Sequence, residues 1–235
     1  MTFRIALPLA ALALAAATAA LPIAQAIAAP AKNWLLTVTP TASGTYVIGN
    51  PKARAKVVEY LSYTCSHCAH FVNESGPLKT GYVMPGKANI EIRHAVRDPI
   101  DMAAALLARC DGPAKFLGHS EAIFAAQSEW LPKGVDFYEN NQARLKDMAI
   151  GAALGEYARA SGLSALMQKR GLAPARQNAC LADAGAQAKL AEMASEAWKT
   201  RKIPGTPSFL LNGTLAADVR SWPQLKTALD AALKP

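Results

Sequence analysis

Residues 59–68 read EYLSYTCSHC, and they join a predicted strand to a predicted helix. The strand is expected over residues 55–61 (AKVVEYL), since a short and nearly continuous apolar run is typical of a strand buried on both faces. The helix is expected to begin after Cys65, because the apolar residues of 69–72 (AHFV) follow helical spacing. The two cysteines of this motif, Cys65 and Cys68, are therefore predicted to lie in the first turn of a helix.

This position predicts redox chemistry for the two cysteines. A cysteine at a helix N-terminus is close to unpaired N–H groups and to the positive end of the helix dipole, both of which stabilise a thiolate. Cys68 lies three residues further on, on the same face, where it can form a disulfide with Cys65. We expect Cys65 to be the exposed sulfur of low pKa and Cys68 to be its buried partner. His67 can add positive charge or donate a hydrogen bond to the Cys65 thiolate.

The rest of the chain predicts an α/β fold. Residues 90–96 alternate like a second core strand, residues 34–38 read as a short first strand, and residues 208–211 return to strand character before the hairpin signal Asn212-Gly213. Residues 100–198 show only helical spacing, with breaks at residues 112–113, 132–134, 161–162, 171 and 174 that suggest four to six helices. A last helix is expected after Ser221. This order predicts a thioredoxin-like mixed sheet (residues 29–98 and 199–235) with an inserted all-helical domain (residues 99–198).

The motif at 59–68, the helical insertion and the sequence GTPSF at 205–209 together resemble the DsbA-type thiol–disulfide oxidoreductases of the thioredoxin superfamily. The resemblance implies a cis-proline at Pro207 which, with Thr206, presents backbone to a client peptide. It implies that Glu59, within its apolar strand, is a buried acid that tunes the cysteine pair and helps to move protons. Ser66 departs from the proline that is common in the family, and isomerases of the superfamily also have threonine at the position of Thr206.

The resemblance also implies partners and the source of oxidising power. The redox-active group is the Cys65–Cys68 disulfide itself, with no separate cofactor. Unfolded or reduced client proteins are the expected substrates, and a quinone-linked membrane protein is the expected re-oxidising partner. The predicted function is therefore an exported oxidase that introduces disulfides into clients by dithiol–disulfide exchange.

Two further cysteines, Cys110 and Cys180, lie 70 residues apart at apolar positions of the helical block. In an oxidising compartment such a pair predicts a structural disulfide. The alternative is two buried free thiols.

The N-terminus predicts export. Arg4 is the only charged side chain before Lys32, the run from Ile5 to Ala17 is apolar, and small residues follow it. This pattern is typical of a secretory signal peptide, expected over residues 1–28, with the mature protein in the periplasm. The alternative is an uncleaved membrane anchor.

The composition excludes several other classes of protein. With 51% hydrophobic and 18% charged residues the chain is too apolar for a disordered protein, and four cysteines are too few for a disulfide scaffold. The net charge is +8, from 25 basic and 17 acidic residues, but the basic residues are scattered at helical spacing. Such charges are typical of solvated helix surfaces, and no nucleic-acid partner is expected.

Two alternative functions remain open. One is a disulfide isomerase or reductase that is kept reduced. The other is a metal-handling module, in which Cys65, Cys68 and His70 would begin a zinc or copper site completed by Cys110 or Cys180. No metal is expected, because a second closely spaced pair of ligands is missing from the sequence.

Overall fold

The computed structural model describes residues 1–2 and 32–234, and a six-stranded mixed sheet forms the centre of this part of the chain. The strand order is β1-β2-β4-β3-β5-β6; β3 and β4 run parallel, and the other neighbours run antiparallel. The strands are β1 (Val38–Pro40), β2 (Tyr46–Gly49), β3 (Ala55–Leu61), β4 (Ala88–His94), β5 (Ser208–Leu211) and β6 (Thr214–Leu215).

Helices account for most of the remaining described residues. They are α1 (Ser66–Glu74), α2 (Gly76–Leu78), α3 (Pro99–Arg109), α4 (Pro113–Ala125), α5 (Gln127–Leu145), α6 (Ile150–Ser161), α7 (Leu163–Lys169), α8 (Pro174–Leu181), α9 (Ala184–Ser195) and α10 (Trp222–Ala232). Trp34–Leu36 forms a 3-10 turn, and Lys79–Val83 and Glu196–Thr200 form π-helical turns. The predicted fold class, a mixed sheet interrupted by an all-helical segment, is confirmed.

The number of inserted helices was predicted too low, since seven helices lie between Pro99 and Ser195. The predicted break at residues 132–134 is wrong, because α5 runs through it. Pro132 lies early in the helix, and the bond it removes is the one its N–H would donate to Ser128. Gly134 allows close packing, since a Cβ there would lie 3.2 Å from side-chain atoms of Ile100 and Ser161. Pro132 therefore does not end the helix, and Gly134 allows α5 to pack closely against α3 and α6.

The N-terminal part of the sheet also differs from the prediction. The predicted strand at residues 34–38 is a 3-10 turn followed by β1, and its Trp34 ring lies against Gly86, where a Cβ would be 2.6 Å from the ring. β2 was missed, because four residues between turn-forming glycines resemble a loop. It is nevertheless paired with β4, with Tyr46 opposite Ile92.

Strand β3 positions the site. It lies between β4 and β5, and all of its residues except Lys56 are buried. Residues 62–65, which we call the catalytic loop, connect its carboxyl end to α1. Because β3 is fixed on both sides by hydrogen-bonded neighbours, the catalytic loop starts from a rigid point.

The signal peptide predicted over residues 1–28 lies outside the described residues, apart from residues 1–2. Among the described residues, no helix is long and apolar enough to cross a membrane. The domain boundaries at residues 98 and 198 stay predictions, and the helical segment packs with the sheet in one compact unit.

Candidate active site

Cys65 lies at the N-cap of α1 with an extended backbone (φ −96°, ψ 117°), and Cys68 lies in the first turn of that helix. Both are present as thiols. Cys65 is 5% exposed and Cys68 is 0% exposed, so Cys65 is the more accessible sulfur but is not exposed as predicted. The reason is the neighbouring loop: the Cys65 thiol donates a hydrogen bond to the carbonyl oxygen of Thr206, 3.1 Å away.

The surroundings of Cys65 lower the pKa of its thiol to about 4. The largest cause is a hydrogen bond from the Cys68 thiol, and the Thr206 side chain, the Cys68 backbone N–H and the charge of Arg97 act in the same direction. Partial burial opposes them. The Cys68 N–H lowers the pKa of Cys65 because it is one of the N–H groups that the first turn of a helix leaves without a backbone partner.

The pKa of the Cys68 thiol shifts the other way, well above its ordinary value. Burial is the main cause, followed by its hydrogen bond to Cys65 and the negative charge of that thiolate. The pair is therefore asymmetric, with a stabilised thiolate at Cys65 and a protonated thiol at Cys68. This asymmetry favours the dithiol over the disulfide, because ionisation of Cys65 stabilises only the reduced form.

Thr206 and Pro207 lie opposite the cysteines. The peptide bond between them is cis, Pro207 is buried and Thr206 is half-buried. Ser208, the next residue, begins β5, which pairs with β3. The catalytic loop follows β3, and the Thr206–Pro207 turn precedes its antiparallel neighbour β5. The structure therefore brings Cys65, Cys68, Thr206 and Pro207 together at the same edge of the sheet.

Glu59 lies in β3, is 5% exposed and has a carboxyl oxygen (Oε1) without a hydrogen-bond partner. Burial raises its pKa to about 8, against a smaller lowering by Lys79. Its charge also raises the pKa of Cys68, so the two groups interact. Glu59 lines a cavity of about 50 Å³ together with Lys79 and Glu121, which form an ion pair with 2.5 Å between Nζ and Oε1.

His67 is placed less centrally than predicted. It is exposed in the first turn of α1, as is Ser66, and the cation that lowers the pKa of Cys65 is Arg97. His70 is also exposed, with its ring nitrogen 3.0 Å from Glu74 one turn away. The prediction that His67 bonds the thiolate stays a prediction.

Sequence reasoning missed a polar network behind the catalytic loop. Asp101 of α3 is 1% exposed and accepts hydrogen bonds from the Ser62 hydroxyl (2.6 Å), the Tyr63 N–H (2.7 Å) and the Arg97 N–H (3.1 Å). Burial raises the pKa of Asp101 to about 7. The sequence signal was present but ambiguous, since an acid three residues after the N-cap Asp98 is usual in an exposed first helical turn.

Arg97 and Asp98 extend this network to Thr64, the residue before Cys65. Asp98 accepts a hydrogen bond from the Thr64 hydroxyl at 2.7 Å, and the Arg97 guanidinium donates to the same hydroxyl at 3.1 Å. Arg97 also donates to the Ser62 hydroxyl at 3.1 Å. The cation that favours the Cys65 thiolate is therefore held in place by the catalytic loop itself.

Cys110 and Cys180 are joined by a disulfide with 5.6 Å between their Cα atoms. It links the end of α3 to α8, and the Arg176 guanidinium donates to the Cys110 carbonyl at 2.8 Å. Neither residue lies in a common cluster with Cys65 and Cys68, since no group of three metal-binding side chains occurs within the described part of the chain.

Comparisons with known proteins identify the family of this chain. The family model described as thioredoxin matches residues 41–231. The chain belongs to this thioredoxin family. A solved protein-disulfide isomerase from Novosphingobium aromaticivorans is 35% identical, with a TM-score of 0.77, and the match covers 82% of this chain and 98% of that one.

Further comparisons concern the fold and the length of similar proteins. Wolbachia pipientis α-DsbA1 is 24% identical with a TM-score of 0.59, over 80% of this chain and 89% of that chain, which confirms the DsbA-like fold. Proteins of Rickettsia typhi and Rickettsia conorii with the provisional name protein-disulfide oxidoreductase are 30% and 28% identical over 190 residues. The matched part covers 80% of this chain but only 62% and 60% of those relatives.

Proposed function

We propose that this protein is an exported thiol–disulfide oxidoreductase that introduces disulfides into client proteins through Cys65 and Cys68. One observation carries the proposal: Cys65, with a pKa of about 4, lies beside Cys68, whose pKa is raised. A pair that is more stable as a dithiol has a disulfide that readily accepts electrons from clients. The names of the Novosphingobium and Rickettsia relatives support disulfide chemistry in general.

The first step is attack by a client thiolate on the Cys65 sulfur of the Cys65–Cys68 disulfide. A client–Cys65 disulfide forms, the Cys65–Cys68 bond breaks, and Cys68 departs with the electron pair. Cys65 is the sulfur attacked, because Cys68 is fully buried. Cys68 then takes up a proton, since burial raises the pKa of its thiol.

Glu59 is the proposed source of that proton. Burial raises its pKa to about 8, so its carboxyl is mostly protonated at neutral pH, and its charge acts on Cys68. The cavity beside Glu59 is also lined by Lys79 and Glu121, whose side chains are partly exposed, and the carboxyl is proposed to recover its proton from solvent on that side. Glu59 therefore acts as a proton donor to the departing Cys68 sulfur.

The second step releases the oxidised client. A second client thiolate attacks the client sulfur of the mixed disulfide, a client disulfide forms, and Cys65 departs as a thiolate. A thiol of low pKa is a good leaving group, so this step favours oxidation of the client. The client has then lost two electrons, and the enzyme holds them as the Cys65–Cys68 dithiol.

Client peptides are proposed to bind across an apolar groove that is lined in part by Arg97, the residue whose charge lowers the pKa of Cys65. The groove has a volume of about 490 Å³, and apolar side chains of α3, α6, α9 and the π-helical turn after α9 line it, among them Met102, Leu154 and Trp198. Arg97 lies at its edge and donates to Thr64, which precedes Cys65. Apolar contacts without many polar groups suit unfolded clients of varied sequence.

Re-oxidation of the dithiol requires an acceptor, for which we propose the quinone-linked membrane protein that the family resemblance implies. Secretion by the predicted signal peptide would place this protein in the periplasm, where it can contact such a membrane protein. An isomerase is the second candidate function, favoured by the name of the Novosphingobium relative and by Thr206. Such an enzyme would use the same Cys65 thiolate but would work from the reduced state.

Mixed-disulfide capture tests the proposed function. We expect Cys68→Ser, activated at Cys65 by an aromatic disulfide, to capture a reduced peptide that contains one cysteine. Cys65→Ser is expected to capture it at least about 100-fold more slowly, because its remaining thiol is buried and protonated at neutral pH. Mass spectrometry of the adduct identifies the cysteine that carries the peptide.

Peptide oxidation by the parent protein is the second test. One molecule of the oxidised parent protein should convert one molecule of a peptide with two thiols to its disulfide. Equal capture by both variants, or no peptide oxidation by the parent, would contradict the proposal.

A further inference from the structure

Residues of the helical segment, together with the residues just before it, hold much of the catalytic loop. Its N–H and hydroxyl groups bond to Asp101 of α3 and to Asp98 just before that helix, and the Tyr63 hydroxyl bonds Ser120 of α4 at 2.9 Å. The loop is therefore not shaped by the sheet alone. Its position relative to α1 depends on helices that belong to another part of the chain.

Gln127, the first residue of α5, completes this set. Its side-chain amide nitrogen donates to the carbonyl oxygens of Tyr63 (2.7 Å) and Cys65 (3.0 Å), and the residue is 7% exposed. The Cys65 carbonyl is also the first acceptor of α1, at 3.3 Å from the Ala69 nitrogen. Gln127 thus fixes the peptide group that starts α1, and with it the direction of the helix N–H groups relative to the Cys65 sulfur.

Resting on the proposed function, we infer that Gln127 is a positioning residue for the Cys65 thiolate, through which the helical segment sets the reactivity of the cysteine pair. Two effects follow from its contacts. The amide keeps the Cys68 N–H directed at the sulfur. It also donates to two carbonyl oxygens whose partial negative charge would otherwise destabilise the nearby Cys65 thiolate.

The structure offers a matched control at Gln177 of α8. Gln177 is 2% exposed, and its side-chain nitrogen donates to two backbone carbonyls, those of Ser164 (3.1 Å) and Leu172 (2.8 Å). It has the same residue type, burial and number of bonds as Gln127, but it holds the region between α7 and α8. Methionine at either position keeps the length of the side chain and removes the donor.

The test compares Gln127→Met with Gln177→Met in the full reduced protein. Titration of thiolate absorbance gives the Cys65 pKa, and glutathione buffers give the equilibrium constant for reduction of the Cys65–Cys68 disulfide. Gln127→Met is expected to raise the Cys65 pKa by about one unit and to lower that equilibrium constant about tenfold. Gln177→Met is expected to change neither quantity, although both variants lose thermal stability, because each leaves two buried carbonyls short of a donor.

Gln127→Asn gives a second variant in case Gln127→Met fails to fold, since its shorter amide cannot reach both carbonyls. It should raise the pKa by a smaller amount. A parental pKa and equilibrium constant in a folded Gln127 variant would overturn the inference, as would an equal pKa shift in Gln177→Met. Either result would leave the proposed function intact, because that function is tested separately, by peptide oxidation with the parent protein and by capture with the two cysteine variants.

Discussion

Buried Glu59 is expected to contribute a fall in the free energy of unfolding of the oxidised protein as the pH rises from about 4.5 to about 8, and Glu59→Gln is expected to remove this contribution. The pKa of Glu59 is raised from 4.5 to about 8 by burial in the folded protein. Between these values the folded state holds a proton that the unfolded state has lost. The stabilisation that Glu59 contributes is therefore fully present below its pKa in the unfolded chain, about 4.5. It is lost as the pH rises through its pKa in the folded protein, about 8.

The expected change is large because Glu59 is fully buried. A shift from 4.5 to about 8 corresponds to up to about 5 kcal/mol, so Glu59→Gln should gain stability relative to the parent by an amount of that order across the interval. The measurement is denaturant unfolding at several pH values. The oxidised protein is used because Cys65, whose pKa is lowered, would add an opposite slope as a free thiol.

Two comparisons isolate the contribution of Glu59. Asp101 has a pKa raised to about 7 and contributes a slope of the same sign, whereas burial lowers the pKa of His94, which contributes a slope of the opposite sign. Both residues are present in both proteins, so their contributions cancel in the difference. Glu139→Gln, at an exposed position of α5, should leave the pH dependence unchanged. Parallel stability curves for the parent and Glu59→Gln between pH 4.5 and 8 would show that the carboxyl is not buried as described.

Loss of the Cys110–Cys180 disulfide is expected to reduce the free energy of unfolding by about 4 kcal/mol, from the loop-closure entropy of a 70-residue separation. The disulfide restricts the unfolded chain between the end of α3 and α8. The measurement uses the Cys65→Ser/Cys68→Ser protein, unfolded by denaturant with Cys110 and Cys180 first oxidised and then reduced. In that background no side chain is removed between the two states, so lost packing does not enter the difference.

A Cys110→Ala/Cys180→Ala variant gives the same comparison by substitution. It should resemble the reduced form, with a further loss from the two sulfur atoms that it no longer packs. Equal stabilities of the oxidised and reduced proteins would contradict the expected role of this disulfide.

Local sequence chemistry predicted the elements that carry the redox pair. Strand β3, the helix after Cys65, the hairpin at Asn212-Gly213 and the helix after Ser221 each have a signal within a few residues, and the structure contains all four. The capping box of Ser221 and Gln224 is one such signal. These features are determined by neighbours in sequence, and so they can be recognised without the fold.

The contacts that tune the pair could not be predicted in this way. Asp101 and Gln127 bond the catalytic loop from 38 and 62 residues away, and nothing near either residue in the sequence indicates those partners. The wrong prediction of a break in α5 has the same cause. Pro132 and Gly134 are typical of a helix end, and only the packing of Gly134 against Ile100 shows why the helix continues. Burial of Cys65 likewise depends on Thr206, which is 141 residues away.

The reduction potential of the Cys65–Cys68 pair tests the central claim most directly. Equilibration of the protein with glutathione buffers gives this potential, with the state of Cys110 and Cys180 followed separately. The stabilised Cys65 thiolate predicts a strongly oxidising pair, near the value of about −120 mV known for DsbA. A potential near that of thioredoxin, about −270 mV, would contradict the account and indicate a reductase or an isomerase that works in the reduced state.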